Sequence, residues 1–223
     1  MHIPDGFLDL MTIVVLWLIV VLVMILGYFK MGKVFQKEDS EKLIPYIGVL
    51  AAVIFAFQFV NYPILWGTSG HLVGGTLVAV ILGPWASLIV LFLILVIQSF
   101  FGDGGIIALG ANTFNMGVIG GIVGFYIVVF FMKLLNRTSL KKEVKVTIST
   151  AIGSYLSIIL ASFVCGIEIG IAGAVPLDIS VPTMVFWHLF IGIGEGIISA
   201  LIIFFIYKTK PNFILTESIL GVE

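Results

Sequence analysis

Charge is scarce in this chain. Only 10% of its 223 residues are charged against 61% hydrophobic, and mean hydropathy is +1.25, a balance that excludes a soluble globular domain and leaves no basic surface for nucleic acid. Cysteine is nearly absent. Cys165 stands alone inside an apolar run, so neither a disulfide framework nor a thiolate metal cage is available, and it reads as a packing residue. No HExxH, GxSxG or CxxC motif occurs, which leaves an enzyme without nucleophile or general base. Gly27 to Lys33 matches GxxxxGK, but Val34 replaces the magnesium-binding Ser or Thr and the segment ends an apolar helix, so nucleotide hydrolysis is excluded. The first apolar run, Leu8 to Phe29, has no basic residue before it and no small-residue cleavage site after it. A cleaved signal peptide is therefore not expected.

What is present is a series of long apolar runs. Seven can be drawn, at about 8–29, 43–60, 72–83, 86–101, 112–132, 146–166 and 184–207. They predict an all-α polytopic membrane protein, a single transmembrane domain over residues 1–223. The third run is short: about 12 residues at about 1.5 Å each cover about 18 Å of a roughly 30 Å hydrocarbon core. It must tilt, be buried by neighbours, or follow a loop that dips into the bilayer. Gly83-Pro84-Trp85 predicts the turn into the fourth run.

Charge placement predicts the orientation. All basic residues fall after the first run (Lys30, Lys33, Lys37, Lys42), the fifth (Lys133, Arg137, Lys141, Lys142, Lys145) and the seventh (Lys208, Lys210), on one side of a seven-span protein. The positive-inside rule makes that side cytoplasmic and puts the amino terminus outside. The outer face then carries Asp5, Asp9, Asp103 and Asp178, with Glu168 near the end of its span, and no Lys or Arg, an asymmetry suited to cation uptake.

The chain starts Met1-His2-Ile3-Pro4-Asp5-Gly6. A free terminal amine, the His2 amide nitrogen and the His2 ring can close adjacent five- and six-membered chelate rings around one ion, and a fourth nitrogen completes a square suited to Ni(II) or Cu(II). The bland alternative is an interfacial histidine near a frayed terminus. Initiator Met is expected to be retained before a bulky second residue, so the amine is expected to be that of Met1. The best fourth nitrogen is His71, on the same predicted outer face, at the amino-terminal end of the third helix, whose dipole would keep the ring neutral. An imidazole capping a helix end is the alternative. Thr68 and Ser69, between flanking glycines, and Asp103 and Asn112, in and after Phe101-Gly102-Asp103-Gly104-Gly105, are candidates for supporting the ligands from behind. An ordinary Asp-Gly turn explains Asp103 equally well.

Glu168, His188 and Glu195 are ionisable groups in or near late spans and count as functional candidates by default. His188 and Glu195 share a helical stripe but are separated by about 10.5 Å along the axis, so a proton relay and a structural network remain open. Glu168 and His188 are expected near the outer site, with Glu195 deeper. Small-residue stripes mark the second run (Gly48, Ala52, Ala56), the fifth (Gly117, Gly120, Gly121, Gly124) and the seventh (Gly192, Gly196, Ala200), where they permit close helix approach.

Together, MHIPDGFL at Met1 to Leu8, GTSGHLVGG at Gly67 to Gly75, LGPWASL at Leu82 to Leu88 and FGDGGIIALGANTFNMG at Phe101 to Gly117 resemble the CbiM/NikM family, the substrate-binding (S) components of nickel and cobalt energy-coupling-factor (ECF) transporters. The resemblance covers essentially the whole chain. It implies a seven-helix S-component fold with an extra amino-terminal helix, and a metal bound by Met1, His2 and His71. It also implies partners: a transmembrane coupling (T) subunit, two ABC-type ATPase subunits and a small accessory membrane protein, with the T subunit meeting an AxxxA pattern that Ala52 and Ala56 resemble. The implied cargo is Ni(II) or Co(II), with no resident cofactor, and the GTSGH loop and Gly-Asp-Gly-Gly look more like the nickel branch. A square site disfavours Zn(II), which prefers tetrahedral ligation, but not Cu(II). The competing reading is an autonomous ion channel or proton-coupled carrier built on Glu168, His188 and Glu195, and a weaker one a metal sensor or assembly scaffold.

Overall fold

The computed structural model describes residues 1–35, 40–65 and 68–220. Lys37 and Gly67, which carry part of the basic loop and of the GTSGH motif, lie outside the described residues. Every apolar run is helical: α1 (Leu10–Phe35), α2 (Ser40–Phe59), α3 (Gly75–Leu82), α4 (Pro84–Phe100), α5 (Leu109–Thr113) running through a π-helical stretch (Phe114–Val123) into α6 (Gly124–Leu135), α7 (Lys142–Ile171) and α8 (Leu177–Thr209). A short α9 (Glu217–Leu220) follows a 3-10 turn, and two-residue strands β1 (Tyr62–Pro63) and β2 (Ser69–Gly70) pair antiparallel before α3. Four helices are long and apolar enough to cross a bilayer, at Leu10–Met31, Leu109–Leu135, Lys142–Ile171 and Leu177–Thr209. The apolar parts of α2 and α4 are shorter.

The lipid is the solvent for much of this surface. In α1, Leu10, Leu18, Leu22, Leu26 and Phe29 are exposed, and only 17% of its most apolar window is buried. Since lipid tails are as apolar as leucine, helices associate where small side chains let them interlock. The glycines of the fifth run do this: a Cβ at Gly121 would lie 2.8 Å from Ser87 Oγ, one at Gly117 2.8 Å from Leu88, and one at Gly124 against Thr76 and Ser157. From α3, a Cβ at Gly75 would meet the main chain of Met116, Gly120 and Gly121 at 2.8 Å. Helices α7 and α8 interlock in the same way, Gly192 against Tyr155 and Ile158 and Gly196 against Ala151. By contrast α2 leaves its stripe open, with Gly48, Ala52 and Ala56 all exposed and nothing within 4 Å of a Cβ at Gly48.

Helix α3 is the buried centre, with all eight residues enclosed. At that depth its unpaired end groups need partners from the protein. Gly83, at φ 98°, turns the chain so that Pro84 opens α4, as Gly83-Pro84 predicts. The carbonyls of Val80 and Ile81 accept bonds from Thr216 Oγ1 and from the Leu215 N–H (2.8 Å), both in the carboxyl-terminal segment. The π-helical carbonyl of Gly120 accepts from Thr76 Oγ1 at 2.7 Å.

Candidate metal centre

Three segments converge at one end of the bundle: the amino terminus, the β2 to α3 connection, and the loop after α4. The amino terminus folds inward, leaving Met1 and Ile3 fully enclosed and His2 3% exposed. Asn112 holds it like a strand partner, accepting from the Ile3 N–H (2.7 Å) and donating to the Ile3 carbonyl (3.1 Å), while Gly105 N–H donates to the same carbonyl (2.9 Å). The Asp5 carboxylate accepts from the N–H groups of Ile106 (3.2 Å), Ile107 (2.9 Å) and Ala108 (3.0 Å). Gly105 is obligatory, because any Cβ there would collide with Asp5, and a Cβ at Gly104, which has φ 94°, would lie 3.1 Å from Asn112 Nδ2 and 3.4 Å from His2.

The amine of Met1 and the rings of His2 and His71 come together here. The Met1 amine lies 2.9 Å from His71 Nε2 and bonds the Ser69 carbonyl, with Ser69 Oγ at 3.3 Å. Two nitrogens occupying adjacent corners of a square, each about 2 Å from an ion, would be about 2.8 Å apart. The His2 N–H donates to Ser69 Oγ (3.2 Å), and the His2 and His71 rings stack with centroids 4.2 Å apart. His71 Nδ1–H donates to the Leu72 carbonyl (2.8 Å), which leaves Nε2 with its lone pair facing the amine. His2 Nε2 lies 3.0 Å from Gln98 Oε1 and Nδ1 3.0 Å from Asp103 Oδ1. Both partner atoms are acceptors, and a neutral ring, with one N–H, donates to only one of them.

Burial sets the protonation. Enclosure away from water pulls the Met1 amine from 8.0 down to about 5. His2 is lowered from 6.5, chiefly by burial, against the opposing pull of Asp103. His71 is pushed well below 6.5, first by burial and then by the neighbouring amine charge. At neutral pH all three are the unprotonated forms that metal ligation needs. The expected helix dipole is not the cause at His71: Gly74, at φ 72°, delays α3 until Gly75, so the ring sits four residues ahead of the helix.

The other sequence candidates separate. Ser69 contacts the amine and the His2 amide directly, whereas Thr68 is turned to the Met184 sulfur at 3.8 Å. Asp103 reaches His2 and also accepts from Asn61 Nδ2 (2.9 Å); Asn112 touches the Ile3 main chain and no hydrogen bond joins it to an imidazole. Glu168 accepts from Asn115 Nδ2 (2.6 Å), His188 Nδ1 pairs with the Met184 carbonyl (2.7 Å), and Glu195 accepts from the N–H groups of Val73 (2.7 Å) and Gly74 (2.9 Å). These three thus have separate partners, and Glu195, expected deeper, reaches the segment just after His71. Sequence reasoning missed Asn61, Gln98 and Asn115, and it read Asp5 only as an outer-face carboxylate, not as the anchor of residues 106–108. Gln98 carried a signal, a lone amide inside the apolar run of α4.

A cavity of about 740 Å³ leads to this cluster, lined by His2, Asn61, Ser69, Asp103, Phe7 and Val175 among others. Among the described residues no group of three or more His, Cys, Asp or Glu side chains is placed to hold a metal.

Residues 2–213 match the CbiM profile, described as the cobalt uptake substrate-specific transmembrane region. The chain belongs to the CbiM family. A relative in Methanocaldococcus jannaschii, provisionally named a metal transport protein, is 37% identical over 95% of this chain and 94% of its own length. Another in Archaeoglobus fulgidus, provisionally named the fused nickel transport protein NikMN, is 38% identical over 96% of this chain and 68% of its own length. A crystal structure of a transition metal transporter superposes with a TM-score of 0.82 at 34% identity, covering 98% of this chain and 99% of that one. This CbiM protein is thus a helical membrane protein of a nickel and cobalt transport family, as the MHIPDGFL and GTSGH motifs imply.

Proposed function

We propose that this protein is the S component of an ATP-driven ECF importer for nickel or cobalt ions, binding the ion in a square of the Met1 amine, the ionised His2 amide, His2 Nδ1 and His71 Nε2. The observation that carries the reading is the 2.9 Å approach of the Met1 amine to His71 Nε2, two basic nitrogens buried together with no carboxylate between them. Asp103, Ser69 and Gln98 support the ligands, and Asn112 and Asp5 hold the amino terminus in place. The motif resemblance and the name of the Archaeoglobus relative favour nickel; the family description keeps cobalt open as a cargo.

The remaining features follow from the same reading. Lys208 at the end of α8 bonds Glu143 at the start of α7 (3.0 Å), at the end of the bundle away from His2. That end faces the cytoplasm and the metal site faces outward. Helices α1, α2, α4, α5 with α6, α7 and α8, together with the partial crossing of α3, make seven segments. The T subunit docks on the open stripe of Gly48, Ala52 and Ala56, two ABC-type ATPases hydrolyse the nucleotide, and an accessory membrane protein aids loading.

Nickel titration of the purified protein tests the site. Adding one residue before Met1 converts the amine to an amide and should remove most of the affinity, whereas Lys141→Ala should bind normally; unchanged affinity after the addition rejects the model of a terminal-amine ligand. Reconstitution of this chain without ATPase subunits should give no sustained flux. Gradient-driven flux would instead favour a carrier.

A further inference from the structure

Glu195 is 2% exposed in the middle of α8, at a depth where a carboxylate is costly. Each oxygen takes its own main-chain donor, Oε2 from Val73 N–H at 2.7 Å and Oε1 from Gly74 N–H at 2.9 Å. Gly74 is the residue before α3 and offers no side-chain cap; Glu195 takes the N-cap N–H from another helix, as an N3 glutamate does locally in a capping box, at the end where the helix dipole favours negative charge. The opposite side of Val73 is held too, its carbonyl accepting from Gln58 Nε2 at 2.7 Å.

The constraint continues to His71. Leu72 lies between that clamped pair and the histidine, and its carbonyl is the acceptor that fixes His71 Nδ1–H. The ring nitrogen on the far side is the one that faces the Met1 amine. Helix α8 also packs along this connection, Ile191 at Gly70 and Gly194 opposite Leu72. A chelate formed by Met1 and His2 alone can follow a mobile amino terminus; the fourth nitrogen cannot, because it comes from a separate segment whose main chain must be held to within about 0.5 Å.

We infer that Glu195 is a positioning residue for metal binding: from α8 its carboxylate fixes the main chain of Val73 and Gly74, and through it the direction of His71 Nε2. This deepens the proposed metal-site reading and rests on it. The same two bonds argue against a proton relay through Glu195, since both oxygens already serve as acceptors.

The test is nickel titration, with the absorption spectrum of the bound ion, on the full chain carrying Glu195→Ala, Glu195→Gln, His71→Ala, and Glu195→Ala with His71→Ala. Loss of an outer partner of a ligand typically weakens binding about 10- to 100-fold. Glu195→Ala should fall in that range and shift the spectrum toward that of His71→Ala, and the double variant should bind no worse than His71→Ala, since both changes remove one function. Glu195→Gln, equal in size and keeping one acceptor, should be intermediate, and it carries the test if Glu195→Ala does not yield folded protein. Wild-type affinity and spectrum in the Glu195 variants, or additive losses in the double variant, overturn the inference while leaving the metal site standing. Wild-type affinity in His71→Ala overturns the metal site itself, and the inference with it.

Discussion

The buried amine makes a quantitative prediction about pH. An exposed terminal amine of pKa near 8 is mostly protonated at pH 7, so an ion would have to displace about one proton from it as well as one from the His2 amide. Here burial has lowered the amine to about 5, and both imidazoles below their ordinary value. The sign follows directly. A depressed amine pKa means the folded protein presents the free base down to about pH 5, so protons compete for it only below that value. From pH 7.5 to 5.5 the amine should then add almost nothing to the cost set by the amide, about tenfold in affinity per unit and about 100-fold in all, whereas an ordinary amine would bring the loss close to 10,000-fold. Titration calorimetry in buffers of different ionisation enthalpy measures the same quantity at fixed pH, as the number of protons released. About one per nickel ion at pH 7, rising below about pH 5, is expected. Release of two at pH 7 would show an exposed amine, and release of none would show that the His2 amide keeps its proton and that the square of four nitrogens does not form.

The structure sets further expectations. Asn112→Leu removes both bonds to Ile3 and strands its buried N–H, the carbonyl keeping Gly105, at a cost of about 2 kcal/mol, so nickel affinity should fall roughly 30-fold by calorimetry while the protein stays monodisperse; unchanged affinity would show that the amino terminus is held some other way. Gly75→Ala places a methyl 2.8 Å from the main chain of the π-helical stretch and should lower thermal stability by about 1 to 3 kcal/mol, whereas Gly48→Ala, which meets nothing, should leave the melting curve in place. Replacing Ala52 and Ala56 together by Leu should leave nickel binding intact and abolish co-purification of the T subunit; retained assembly would move that interface away from α2.

The parts of this fold legible in the sequence are those that depend on composition and local geometry. Hydropathy marks each helical run, and Gly83-Pro84 marks its turn, because both effects act within a few residues. The converging segments of the site were also legible, since chelate-ring size is a property of the first two residues and one imidazole stood in a glycine-flanked loop. What escaped depends on distant segments meeting. The amide of Asn112 reads as a support for an imidazole, but in three dimensions it pairs with the Ile3 main chain. Glu195 reads as a member of a stripe shared with His188, yet its partners are main-chain groups more than a hundred positions earlier. The π-helical stretch leaves no imprint either, because its glycines satisfy a 3.6-residue and a wider winding alike. The late start of α3 hides behind Gly74, whose left-handed backbone cannot be told from that of any other glycine by spelling alone.

The eight residues of α3 hang between two supports, Glu195 at one extremity and Leu215 with Thr216 at the other. A tail that looks like a dispensable appendage is thereby a structural keeper: shortening the chain after Lys210 would leave the enclosed carbonyls of Val80 and Ile81 without these donors. A tug on that tail would be transmitted along a rigid rod to Gly74 and Val73 at its far tip, and only through them to the connection that carries His71.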